Sequence, residues 1–301
     1  MLKAYAWLIF CVVVWGSNFV FGKLLVRDFS PAMLTMLRLL FIVFFLIVLS
    51  LNGRKMKPVS KTDVISLFFL GVIGVFINQW SFFAGLETAD STTSALILAT
   101  TPIVTGLLAA VFLKESITLR MLIGSTIAIA GIYFVVTEGD LSSVHIDKGL
   151  WWIVVTMITF AIMIIMTRQL SQRLEPLVIT LYSNIVGFII SIPFAFVLDN
   201  PLRISYALSN WALLIGTAVI VHAVATLIWN KYIRYVDASK ASILSNLEPF
   251  VAMITGLVLL AKPITGAEML GSLFIVGGVI LSTYQLNHKL EDRRGQEGTG
   301  K

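Results

Sequence analysis

SILSNLEPFVAMITGLVLL, residues 242–260, holds one acid, Glu248, followed at once by Pro249, and beyond them only apolar or small residues. An ionised carboxylate in hydrocarbon is costly, and a proline inside a helix removes a hydrogen bond. The neighbourhood of this stretch occurs twice. At an offset of 147 residues Asp90 falls on Asp237, Pro102 on Pro249, Val111 on Val258 and Leu113 on Leu260. Ile117 and Thr118 fall on Ile264 and Thr265, Gly124 and Ser125 on Gly271 and Ser272, and Gly131 on Gly278. Pro31 matches Pro176 at an offset of 145. The chain reads as one unit written twice.

Composition sets the solvent. The 301 residues are 58% hydrophobic and only 13% charged, where a soluble domain carries roughly 25% charge. Too little polar surface remains to cover a water-soluble globule, so the chain reads as a polytopic membrane protein. The net charge of +6 does not point to nucleic acid, because the basic residues lie in short loops and the tail, where orientation signals sit. One cysteine, Cys11, leaves no intramolecular disulfide, and His145, His222 and His288 have no ligand-like neighbours, so no metal or cofactor is expected. The start, MLKAYAWLIFCVVVWGSN, imitates a signal peptide but ends in no small-x-small cleavage site, and is read as the first membrane helix.

About 20 apolar residues span the hydrocarbon core as a helix. Ten segments qualify: 4–26, 30–51, 64–86, 91–113, 119–137, 149–168, 176–198, 209–232, 238–261 and 266–286. With the N-terminus inside, the outer loops receive only Lys23, Arg27, Lys148, Arg203 and Lys262. Arg38 lies within a span, and the other sixteen of the 22 Lys and Arg fall inside. Lys57 and Arg173 are thus expected inside, Ser142 and Ser205 outside. Each half has five helices, so the second copy enters the membrane upside down. The expected fold is an all-α membrane protein of ten transmembrane helices, built as two inverted five-helix repeats with both termini cytoplasmic. Residues 1–137 form the first repeat, 138–148 an outer linker, 149–286 the second repeat and 287–301 a disordered cytoplasmic tail. Inverted repeats recur in transporters, with the substrate site between the halves near the midplane.

The sequence resembles the EamA family of the drug/metabolite transporter superfamily over about residues 4–286. The resemblance is carried by WGSNFVFGK in the first helix, LR in the second, TPIVTGLLAAVFLKESIT across the fourth, and its repeat LEPFVAMITGLVLLAKPIT in the ninth. GSTIAIAGIYFVV and GSLFIVGGVILS follow them. It implies a ten-helix secondary transporter in the plasma or inner membrane, usually an exporter of amino acids or other small metabolites. One position departs from the family. Where an acid matching Glu115 is usual after the ninth helix, this chain has Lys262, so its two ends are not chemically symmetric.

Pro102 and Pro249 sit near the midpoints of the fourth and ninth spans and free the carbonyls of Leu98 and Ser245. They are read as kinks, and as flex points where each repeat bends around a cavity. Ser245, Ala252 and Thr255 flank Glu248 at helical spacing, and Thr101 is its counterpart in the first repeat. Such small faces either pack closely or line a narrow space. Trp15, Asn18 and Phe19 share a face of the first helix. Asn78 and Trp80 lie mid-span in the third, Tyr182 in the seventh and His222 in the eighth. Buried amides often bond helix to helix. Taken together, the expected substrate cavity comprises Trp15, Asn18, Phe19, Arg38, Asn78, Trp80, Thr101, Tyr182, His222, Ser245 and Glu248. Arg38 is expected to face inward, toward an acid or an anionic substrate, rather than snorkel to the headgroups. Glu248 is the candidate for carrying a coupling proton or holding a substrate's amino group; the bland alternative is a structural acid, bonded to freed carbonyls or paired with Arg38.

The leading function is a secondary transporter moving a small, amino-acid-like metabolite across the bilayer, in the direction of export, by alternating access. Its partners are the small-molecule substrate, the lipid and, as the coupling candidate, protons. The competing class is a membrane scaffold or sensor that keeps the fold without transport. A membrane enzyme is disfavoured: the sequence has no HExxH, GxSxG or phosphate-binding loop, and its connections leave little room for a catalytic domain.

Overall fold

The computed structural model describes residues 2–51, 59–112, 117–138, 147–199, 201–232 and 244–298, and every regular element among them is helical. In chain order these are α1 (Leu2–Asp28), α2 (Pro31–Leu51), α3 (Lys61–Thr88), α4 (Ser91–Leu98), α5 (Thr101–Phe112) and α6 (Leu119–Val136). The second half holds α7 (Lys148–Leu170), α8 (Pro176–Val197), α9, α10 (Glu248–Leu260) and α11 (Gly266–Gly298). α9 joins Leu208–Gly216, a π-helical segment Thr217–Val224 and Ala225–Tyr232. Starts follow the sequence signals: Ser60, Asp90, Thr118 and Asp147 each accept a first-turn backbone N–H.

Eight helical stretches are long and apolar enough to cross a membrane, and Glu248–Leu260 and Gly266–Ser282 are shorter apolar helices. The ninth expected span begins within residues 233–243, which lie outside the described residues, as do Lys57, Ser142, Glu115 and Asp237. α11 runs through to Gly298, over residues expected to form the disordered tail. Phe44, Val111, Phe112, Ile129, Phe196 and Val258 are large, apolar and exposed, as suits helices that meet hydrocarbon rather than water.

The two halves carry the same irregularities at the same places. α3 contains a π-helical segment, Leu70–Ile77, and that of α9 lies 147 residues later. Turns at residues 99–100 and 246–247 directly precede α5 and α10, again 147 apart. Each proline therefore stands in the first turn of a new helix, where its missing N–H costs nothing, rather than at a kink in a continuous one. Packing repeats the pattern. α6 and α11 run antiparallel, so close that a Cβ at Gly124 would lie 2.4 Å from Gly278 O and one at Gly131 2.8 Å from Gly271 O. The offset equates Gly124 with Gly271 and Gly131 with Gly278, so this contact maps onto itself when the halves exchange. Where α1 crosses α9, Cys11 Sγ donates to Ala225 O at 3.3 Å; where α3 crosses α7, Asn78 Nδ2 donates to Thr156 O at 2.9 Å. Thr156 lies 145 residues after Cys11 and Ala225 lies 147 after Asn78, the same two offsets read from the prolines and glycines.

Candidate functional site

α1 packs against both the α9 π-segment and α10. Gly16 lets it approach α10 so closely that a Cβ there would lie 2.7 Å from Glu248 O and 2.6 Å from Val251 Cβ. Ser17 Oγ shares a hydrogen bond with Thr255 Oγ1 at 3.2 Å. One residue back, Trp15 Nε1 donates to Val221 O at 3.0 Å, beside His222, and its ring meets Trp229 at 5.0 Å. One turn on, Phe19 is buried among Ala95, Ala252 and Phe82. The small face beside Glu248 is therefore used for close packing against α1 through Ala252 and Thr255. Glu248 itself begins α10, half-buried, and its carboxyl has no hydrogen-bond or ion-pair partner among the described residues. Its counterpart Thr101 is buried and donates from Oγ1 to Leu98 O at 2.6 Å, satisfying the carbonyl freed by the break.

Arg38 lies inside the protein, 3% exposed, as expected of an inward-facing residue. Its Nη2 donates to Thr217 O, at the start of the α9 π-segment, at 3.4 Å, and its guanidinium carbon stands 5.0 Å from the Phe83 ring centre. His222 lies one π-turn along from Thr217 on the same segment. Arg38 and Glu248 do not form an ion pair. Buried polar atoms without partners recur among these helices: Arg38 Nε, Asn18 Oδ1, both amide atoms of Gln79, Asn184 Oδ1 and Asn246 Nδ2.

Trp15 and Arg38 both bond to the α9 π-segment that carries His222, Phe19 and Glu248 lie where α1 meets α10, Asn18 is buried with its Oδ1 unpartnered, and Ser245 lies just before the turn that precedes α10. Three expected members go elsewhere. The Asn78 amide binds Thr156 O and Thr159 Oγ1 of α7 at 2.9 and 3.0 Å, which is helix-to-helix bonding. Trp80 packs on Trp152 of α7 and on Phe76. Tyr182 is 41% exposed and shares an outward stripe with Ile189 and Phe196, seven residues apart each time, because α8 buries its opposite face of Ser183, Asn184, Gly187 and Ser191.

One end of the bundle carries a charged network that sequence reasoning did not assemble. Lys23 Nζ donates to the carbonyls of Leu86, Glu87 and Ala89 at 2.8, 3.2 and 2.9 Å, capping the end of α3. Arg203 pairs with Glu87, and Asp199 accepts from the N–H groups of Ala32 and Met33 that open α2. Lys262 binds Asp90 Oδ1 and Glu268 Oε1, both at 2.6 Å. Asp90 caps α4, while Glu268 forms a reciprocal capping box with Thr265 at the start of α11. Partial burial works against the Lys262 charge, but bonding to Asp90 and Glu268 outweighs it and holds its pKa above the usual lysine value. The departure at position 262 was the visible signal; that its partner is the Asp90 cap needed the fold.

Comparison with known proteins agrees with this arrangement. The model of the EamA-like transporter family matches residues 2–137 and again 147–284. The chain is 27% identical over 288 residues to the uncharacterized transporter YyaM of Bacillus subtilis (strain 168), covering 94% of each. To YetK of the same organism it is 26% identical, over 93% of this chain and 87% of that one, and to a transporter of Archaeoglobus fulgidus 26% identical, over 93% and 98%. A solved crystal structure shares the fold with a TM-score of 0.67 at 15% identity, covering 94% of this chain and 97% of that one. An all-helical chain with paired irregularities, matched twice by one family model along nearly its whole length, belongs to the EamA-like transporter family of membrane transporters.

Proposed function

We propose that this transporter moves a small, amino-acid-like metabolite by alternating access between two inverted five-helix repeats, in the direction of export, with both termini cytoplasmic. The observation that carries the reading is the pairing of breaks: the same π-segment and the same interrupted crossing stand at equivalent places in both halves. A helix interrupted within the bilayer leaves backbone groups unsatisfied unless they face protein or a water-filled space, and such breaks cluster at transport sites. A scaffold gains nothing from keeping them twice.

Within this reading Glu248 carries either the coupling proton or the substrate's amino group, since its carboxyl stands without a protein partner at the start of a half-helix. Glu248→Gln keeps size and hydrogen bonding but cannot titrate. In proteoliposomes the proton role predicts that the variant folds normally and loses acceleration by an imposed pH gradient. The amine role predicts loss of substrate binding at every pH. Unchanged transport with an unchanged pH response would leave Glu248 a structural acid.

The orientation is tested separately. With Cys11 replaced by serine, a single cysteine at position 205 is expected to react in intact cells with an impermeant maleimide, and one at position 173 only after lysis. Reaction at 173 in intact cells reverses the assignment of sides.

A further inference from the structure

We infer that Arg38 is the anchor for a carboxylate on the transported molecule, so that the cargo is an organic acid or zwitterion and not an amine or a neutral solute. The inference rests on the transport reading above and names the substrate class of that site. The side chain is 3% exposed, and no carboxylate of a described residue pairs with it. Its single protein acceptor is one backbone carbonyl, Thr217 O, at the long distance of 3.4 Å, and its Nε has none. A buried guanidinium is strongly disfavoured unless an anion and further acceptors meet its donors. Its planar fork fits a carboxylate in two parallel hydrogen bonds, which a lysine ammonium does not reproduce.

The surroundings suit a ligand better than a missing ion pair. The Phe83 ring lies against the guanidinium, its centre 5.0 Å from Cζ. Thr217, the guanidinium's one acceptor, opens the π-helical segment of α9, and Gln79, one turn before Phe83 on α3, is buried with both amide atoms unpartnered. An unpartnered amide one helical turn from the ring that meets the guanidinium offers a donor and an acceptor for orienting a bound acid. Glu248, whose carboxyl is also unpartnered, begins α10 and does not pair with Arg38.

The test uses the full chain in proteoliposomes, with a labelled mixture of the twenty amino acids as the transported probe. Unlabelled amino acids and their carboxamides serve as competitors. The wild-type chain is expected to be inhibited at concentrations about tenfold or more lower by the acids than by the amides, because the amide loses the charge and one acceptor. Arg38→Gln should bring acid and amide to within about threefold of each other, and Arg38→Lys should fall between, keeping the charge without the fork. Tyr182→Phe, on the outward stripe of α8, should retain the preference for acids. Equal competition by acids and amides in the wild-type chain overturns the anchor and leaves transport standing, and it needs no variant to fold. An undiminished preference for acids in Arg38→Gln also overturns it. Absence of any amino-acid uptake removes the proposed substrate class and the anchor together.

Discussion

Replacing Gly278 with leucine is expected to remove folded protein from the membrane. α6 and α11 meet along their glycines, and a Cβ at 278 would lie 2.4 Å from Gly124 O and 2.7 Å from Ala128 N. Those neighbours are backbone, so no side chain can rotate away. Lipid tails are as apolar as the side chains here, and helix association rests on packing rather than on hydrophobic burial. Even Gly278→Ala must push two helices apart, at a cost on the order of 3 kcal/mol. Leucine adds three more carbons and separates the halves along their shared seam. The measured quantity is the yield of monodisperse protein extracted in mild detergent, which should fall to background for Gly278→Leu and Gly124→Leu. Gly277 supplies the control. A Cβ there meets nothing within 4 Å, so Gly277→Ala should express and unfold as the parent does. Normal yield of Gly278→Leu would mean that the seam is not a close contact.

The sequence disclosed the features that are written in residue types. Proline marks the starts of α5 and α10, where its missing N–H costs nothing, and the repeated glycines stand on the α6–α11 seam because only glycine permits that approach. Basic residues mark the loops because they steer insertion. The π-segments were silent: a π-turn is one extra residue in the helical register, and neither LGVIGVFI nor TAVIVHAV contains a residue type that demands it. Asn78 was ambiguous for a related reason. A mid-span amide bonds to whatever the neighbouring helix presents, and only the packing of α7 put Thr156 and Thr159 opposite it. Tyr182 was more legible than the reading of it, since Ile189 and Phe196 already mark its stripe as apolar.

Lys262→Met is expected to loosen the end of the bundle that carries Lys23, Asp90 and Glu268. Lys262 follows Ala261, which ends α10 in the left-handed region at φ 53°, a conformation that costs a non-glycine residue roughly 1–2 kcal/mol. The turn holds because the Lys262 N–H donates back to Gly256 O at 3.3 Å and the ammonium grips two carboxylates from separate elements. The Asp90 contact ties α4 of the first half to the α10–α11 connection of the second. Removing the cation leaves the buried Glu268 carboxylate with only its capping bonds and Asp90 with only the α4 N–H groups. The ammonium is 30% exposed, so the bridge contributes no more than about 1–2 kcal/mol, or a roughly 5–30-fold change in the open population. A cysteine placed at Gly256, whose Cβ would sit 3.8 Å from Thr92 Oγ1 just beneath the bridge, reports that opening through its rate of reaction with an impermeant thiol reagent. In a Cys11→Ser background the rate should rise by that factor in Lys262→Met, and further in Lys262→Glu, which adds a third negative charge. The pH dependence has a fixed sign. The folded-state pKa of Lys262 stands above the unfolded value of about 10.4, so the bridge is fully present below that value and is lost only as pH climbs through the higher folded one. Slow labelling should therefore persist across neutral and mildly alkaline pH in the parent and give way only at strongly alkaline pH, a transition that Lys262→Met should lack. Equal labelling rates in the parent and both variants at neutral pH would mean that Lys262 does not hold this end closed.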